Sequence, residues 1–456
     1  MAHTSNAINY YFSVSFGAFA VGNVLSWTSV ALPYITETNS TKTMEYPRLT
    51  LNPDQEALVG ALLTVGALVA AIPAGCLADK LGRKKAILAT ILPLLIHWTM
   101  ITYLSDARVL FVARLVAGTG VGGFCVVAPM YLAEIADSSC RGVFGSFFQL
   151  FICAGILFTC VLGPFTTWIS LSMTLAAMPV LFIIALCFLP ESPLFLVKSH
   201  QIGNAEIVLK RLRGQRYHVK GELNDLQTEI EINQEKKMSL SDVLTVKRYR
   251  RSMIAVLGVL LFQQFSGINA LIFYSVPIFQ AAGAGFSPTI AAIVVNSVQV
   301  LATYVSSLII ERAGRKFFLT LSAIGMSICL VVLGLFFHYK PPDDEIGGFV
   351  ALLPVLSTVV FMTAFSVGFG PIPWMLIGEL FAPEIKAVAT GVAVLSSWLF
   401  AFLVTFFFPI INSRAGIHVT FYIFSIFMLI SLFFIRSLIP ETRGKSLNEI
   451  QKELDK

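Results

Sequence analysis

Asp79-Lys80-Leu81-Gly82-Arg83-Lys84 closes one hydrophobic run, and Glu311-Arg312-Ala313-Gly314-Arg315-Lys316 closes another 232 residues later. Each joins an acid to a basic cluster around a glycine where an apolar stretch ends. Two further pairs recur in the same order. Glu134 with Arg141 returns as Glu379 with Lys386 at an offset of 245, and Pro190-Glu191-Ser192 returns as Pro440-Glu441-Thr442 at an offset of 250. Offsets that drift this little are what unequal loops produce within a duplication. The chain therefore reads as two related halves, 1–189 and 251–438, joined by the segment 190–250 and followed by a tail, 439–456.

What surrounds these motifs fixes their setting. Of 456 residues, 56% are hydrophobic and only 13% charged, and the mean hydropathy is +0.79. That leaves too little polar surface for a water-soluble globule of this size. About 20 apolar residues span a bilayer as a helix, and long continuous runs exclude the alternating pattern of a barrel. Twelve such runs occur: 10–34, 56–78, 86–104, 108–132, 142–163, 169–189, 252–281, 287–310, 317–338, 348–378, 387–410 and 417–438. The predicted fold is an all-α integral membrane protein with two pseudo-symmetric six-helix bundles.

Charge then orients the spans. With both termini in the cytoplasm, 26 of the 32 Lys and Arg fall on inside segments, as the positive-inside rule demands. The net charge of +6 is first a topological signal, and no basic patch with interleaved aromatics points to nucleic acid. The start, MAHTSNAINYYF, lacks the basic region and cleavage site of a signal peptide, so the first run is expected to remain as a span. Asn39-Ser40-Thr41 is a glycosylation sequon in the loop placed outside. The seven cysteines lie in or beside spans and read as packing residues. Within the joining segment, 203–213 and 221–237 carry apolar residues at helical spacing, which predicts short amphipathic helices beneath the bundle.

DKLGRKK, PMYLAEIADSSCRG (129–142), PESP (190–193), QQFSGIN (263–269), ERAGRK, GPIPW followed by GEL (370–380) and PETRG (440–444) together resemble the sugar porter family of the major facilitator superfamily, across the whole chain. Within that family the likeness is to insect trehalose and hexose transporters and vertebrate class III glucose transporters. The resemblance implies sugar transport by alternating access, in which two bundles rock about a midplane site. It further implies a plasma-membrane location, a monomeric carrier, a lipid bilayer and a sugar as the only partners, and neither cofactor nor metal.

Candidate gate and site residues follow. Asp79 with Arg83, Glu134 with Arg141, Glu311 with Arg315 and Glu379 with Lys386 sit at helix ends, where charge networks between neighbouring helices would hold the inside closed. Static pairing of positive-inside charges is the plainer alternative. Lys386 replaces an Arg frequent at that place in the family, which forfeits bidentate geometry. Arg114 inside the fourth span needs a partner, with the network near Glu134 as first expectation and a phosphate-like ligand as second.

A sugar site wants uncharged groups that donate and accept, with aromatic faces beside them. Gln263, Gln264 and Asn269 crowd one span, and helix geometry sets Asn269 more than a turn from the two glutamines. By resemblance, Gln149 and these three match the family's sugar-binding amides, as does Gln299 by its spacing before Glu311. Trp374 and Trp398 match its aromatic platforms. Ser397 and Ser366 stand where relatives carry Asn and Glu. Pro371 and Pro373 with Gly368 and Gly370 should interrupt the tenth span. Phe273 and Tyr274 are candidates to close over the sugar from outside, or simply core.

A proton-driven porter of this family carries an acid in the first span. Between residues 10 and 34 there is none, and Thr28 stands near its place. The expectation is therefore uniport, with proton-coupled sugar or polyol import and a nontransporting sugar sensor as alternatives. An enzyme is not expected, because no phosphate-binding loop, metal cluster or nucleophile constellation stands out.

Overall fold

The computed structural model describes residues 5–36, 49–135, 141–214, 218–235, 245–283, 287–310, 314–340, 348–382, 384–445 and 447–455. Among these residues twelve helical spans are long and apolar enough to cross a membrane, each overlapping one of the runs read from sequence. Asn39 and Glu311 lie outside the described residues, as does Cys140.

Local chemistry sets the helix ends. Asn52 caps the second span, accepting from the Gln55 N–H while the Gln55 side chain accepts from the Asn52 N–H, with Pro53 at the first position. Gly82 turns the chain between the second and third spans at φ +95°, which a β-carbon disfavours. Thr167 caps the sixth span, and Ser192 caps a short helix at Pro193–Lys198.

Small residues decide which spans touch. A Cβ on Gly66 would overlap the Leu115 carbonyl, and one on Gly118 or Gly122 would overlap Leu63 or Ala67 backbone. The second and fourth spans thus pack backbone to backbone through the GTGVGG segment at 118–123.

Two spans are broken. The tenth consists of Gly348–Val367 and Ile372–Leu380, interrupted where the two prolines and glycines predict. The seventh also divides, into Lys247–Phe265 and Ile268–Ala282, around Gly267 at φ +86°. Beyond the sixth span, helices at Ile202–Arg213 and Val219–Glu235 pack their apolar faces, Ala205, Leu209, Val219 and Leu223, onto Leu196 and Val197. Arg213 bonds the Ile135 carbonyl at 2.9 Å, tying this segment to the end of the fourth span. A last helix, Leu447–Asp455, docks through Gln451 on the Leu380 carbonyl at 2.7 Å and through its Leu454 carbonyl on Arg251 at 3.1 Å.

This end, with the termini and the joining helices, is the basic face. At the opposite face the halves meet. Ser29 of the first span bonds Ser275 at 2.8 Å and accepts from the Val276 N–H at 3.1 Å.

Candidate functional site

The duplicated charges form two networks of like design at the basic face. In the first half the Arg83 guanidinium grips Glu134, Nη2 to Oε1 at 2.7 Å and Nε to both oxygens at 3.0 and 2.9 Å. Its Nη1 reaches Asp79 at 3.3 Å, and Ser192 donates to Glu134 through its hydroxyl. In the second half Arg315 binds Glu379 through Nη2 at 2.9 Å, and the Thr442 hydroxyl donates to the same carboxylate at 2.5 Å. Glu191 and Glu441 complete the pattern, each accepting from the first two N–H groups of the span that its half's glycine motif opens, the third and the ninth. Glu191 takes Arg83 and Lys84 at 2.9 and 3.2 Å, and Glu441 takes Arg315 and Lys316 at 2.9 and 3.2 Å. A carboxylate at a helix N-terminus satisfies free donors and meets the positive end of the dipole.

These geometries add partners to the expected ones. Glu134 and Glu379 bind the basic residue of the motif preceding them, Arg83 and Arg315. The Arg141 side chain is not among those described, and Lys386 opens the eleventh span from an exposed position. Asp79 meets Arg83 as expected. Glu191, Ser192, Glu441 and Thr442 were read only as markers of the repeat, although an acid followed by a hydroxyl in both copies is itself a capping signal.

Arg114 does not join Glu134. Twenty residues separate them on one helix, about 30 Å at 1.5 Å per residue, so Arg114 lies toward the opposite face. Its Nε donates to the Val59 carbonyl at 3.1 Å and its Nη1 to the Val24 carbonyl at 3.0 Å.

The amides gather around the break in the tenth span. Pro373 has no N–H to give the Phe369 carbonyl, and Gln263 supplies the missing donor, its Nε2 reaching Phe369 O at 2.6 Å and Gly370 O at 3.1 Å. Its Oε1 is buried and unpartnered. Because Gly267 breaks the seventh span, Asn269 folds back and donates to Gln264 Oε1 at 2.5 Å, while Gln264 Nε2 donates to Ser397 at 3.0 Å. On a continuous helix these amides would stand apart, so the turn assembles them.

A second strand of contacts crosses between the halves. Gln149 Nε2 reaches Cys153 Sγ at 3.6 Å, Cys153 meets Thr303 at 3.8 Å, and Thr303 donates to Ser366 at 3.3 Å. Gln299 lies one turn before Thr303, its Oε1 buried without a partner. Trp398 packs against the core with its Nε1 unpartnered. Trp374 is 41% exposed, and Gly378 on the same face borders open space. Asn23 of the first span was overlooked. It accepts from Thr159 at 3.3 Å and keeps its own N–H donors free in the interior. An amide inside a run with no charge was the available signal.

Phe273 and Tyr274 lie buried at the opposite face. Tyr274 leaves helical geometry at φ −128°, stacks on Phe408 at 5.3 Å between centroids and donates to the Thr405 carbonyl at 3.4 Å. Its hydroxyl also occupies the space where Gly60 of the second span would carry a Cβ, so it bridges the seam between the halves. Among the described residues no cluster of metal-binding side chains occurs.

Twelve spans in two six-helix halves with broken seventh and tenth members define a polytopic membrane protein of the major facilitator fold. The chain belongs to the family described as "Sugar (and other) transporter", whose model matches residues 12–454. It is 35% identical over 446 residues to the facilitated trehalose transporter Tret1 of Culex quinquefasciatus, covering 97% of this chain and 84% of that one. The Bombyx mori protein of the same name is 32% identical over 443 residues, covering 97% and 86%. Against the Anopheles gambiae Tret1, 34% identical over 444 residues, this chain spans about half the relative's length, 55%. Among solved structures, the xylose transporter XylE from E. coli, in a partially occluded inward open conformation, superposes with a TM-score of 0.79 at 20% identity, covering 97% of this chain and all of that one.

Proposed function

We propose that this protein carries a sugar, trehalose or a hexose such as glucose, across the membrane by facilitated diffusion through alternating access. The observation that carries the reading is the set of buried polar atoms left without protein partners beside the broken spans. Gln263 Oε1 and Gln299 Oε1 accept, Asn23 Nδ2 and Trp398 Nε1 donate, and none is charged. Sugar hydroxyls both donate and accept, so such a set suits them and suits ions poorly. Family membership and the names of the relatives support the same reading. The two charge networks serve as the inner gate, Phe273 and Tyr274 as the outer one, and the basic face lies in the cytoplasm of a plasma-membrane protein.

Uniport rests on the lack of any acid between residues 10 and 34. In proteoliposomes, labelled glucose or trehalose is expected to equilibrate and to show counterflow. Accumulation above equilibrium under an imposed proton gradient, abolished by an uncoupler, would establish symport instead. Gln263→Ala is expected to abolish uptake with expression intact. Near-normal uptake in that variant removes the site from its proposed place.

A further inference from the structure

Arg114 is fully buried and permanently charged, and its surroundings are unusual for such a group. A lone charge within a bilayer is expensive and is ordinarily met by an opposite one. Among the described residues the guanidinium has two hydrogen bonds, both to neutral backbone carbonyls, Val59 O at 3.1 Å and Val24 O at 3.0 Å. Its Nη2 is buried with no partner. Among the described ion pairs none involves Arg114. Glu56, three residues before Val59 on the second span, is the acid nearest along that helix, and it forms no bond with the guanidinium.

Unspent polarity continues around it. Val24 lies one helical turn before Thr28, whose hydroxyl is buried and unpartnered. The residue before Arg114, Ala113, accepts from His97 Nδ1 at 3.0 Å, which leaves His97 Nε2 buried and unpartnered on the same side of the bundle. The charged guanidinium with its free N–H thus sits between the first, second and fourth spans, about 10 Å below the start of the fourth at 1.5 Å per residue, with the unpartnered Thr28 hydroxyl one turn along the first span from the carbonyl it binds. Among the described residues no carboxylate pairs with it.

We infer that this place binds a small inorganic anion, chloride in the cell, which neutralises Arg114 and takes hydrogen bonds from Arg114 Nη2 and the Thr28 hydroxyl. A monoatomic halide accepts from any direction, so it satisfies donors that share no common plane. A phosphate would need more donors than the two left over. The site lies beneath the seam that Ser29, Ser275 and Tyr274 close, so exchange with the outside requires that seam to part. The anion is a fixed counter-charge in the first half, separate from the amides of the seventh span.

Thermal unfolding of the purified full-length chain in sodium chloride and in sodium gluconate at equal ionic strength tests this. Chloride is expected to raise the midpoint by several degrees, saturably, because a ligand that binds only the folded state stabilises it. Radiolabelled chloride should bind at one site per chain. Thr28→Asp places a carboxylate one turn from Val24 and is expected to abolish both the chloride shift and the binding in a folded protein. Arg114→Gln should abolish them too, and Glu56→Gln should leave them intact. Equal midpoints for the unaltered chain in the two salts overturn the inference. So does a chloride shift that persists in Thr28→Asp, or one that grows in Glu56→Gln, which would make Glu56 the counter-charge. Binding and unfolding are read without transport, so a failure here leaves the proposed carrier function standing.

Discussion

Arg83 with Glu134 and Arg315 with Glu379 are copies of one arrangement, yet they are not equally sealed. In the first half the arginine side chain is 5% exposed and the glutamate 10%, whereas the second-half pair shows 12% and 26%. The residues that follow each capping hydroxyl make the difference. After Ser192 comes Pro193, a helix, and Phe195, over whose ring Arg83 sits at 5.7 Å. After Thr442 come Arg443, Gly444 at φ +70° and Lys445, and a cavity of about 340 Å³ opens there against Arg315 and Glu379. One copy is roofed by an aromatic ring and the other opens onto that cavity. Duplication supplied the ion pair twice, and divergence left the second copy the easier one to break.

Breaking each pair in turn measures that asymmetry. Glu134→Gln strands a buried arginine and is expected to cost about 3–5 kcal/mol in thermal unfolding of the purified chain. The same change at Glu379 should cost about 1.5–3 kcal/mol, because solvent takes over part of the bonding. Equal losses at the two sites would contradict the difference in sealing. Removing the roof tests its cause. Phe195→Ala should cost about 0.5–1 kcal/mol in ion-to-ring attraction and bring the first network's tolerance of salt down to that of the second. Lys386→Arg is expected to move stability by less than about 0.5 kcal/mol while slowing uptake, since a planar fork holds a neighbouring carboxylate or carbonyl more firmly. Faster uptake in this variant would contradict the reading of Lys386 as a looser fastening.

Much of this was readable in advance, and the exceptions share a physical cause. Hydropathy and the repeat placed twelve spans, and Pro371 with Pro373 announced the tenth-span break, because proline's missing donor is a local property. Gly267 announced nothing, since one glycine in a membrane helix is ordinary, and only its positive φ reveals that it folds Asn269 back onto Gln264. The bond from Glu134 to Arg83 at the head of the third span joins two different motifs of the repeat, and spacing along the chain does not announce it. Arg114 was sent to the wrong face although the rise per residue alone separates it from Glu134. Asn23 escaped notice because its run lacks charge, and a polar amide weighs little in a hydropathy window.

The bonds from Gln263 to the Phe369 and Gly370 carbonyls have a mechanical meaning. The stretch Ile372–Leu380 is a stiff rod about 13 Å long, hinged at the turn those bonds stitch and tipped by Glu379. Each degree of swing at the hinge carries the carboxylate about 0.2 Å by that length, so a tilt of ten degrees displaces it by about 2 Å, enough to part it from Arg315. In the proposed carrier, the side chain that faces the cargo is also the pin of the lever that works the far door.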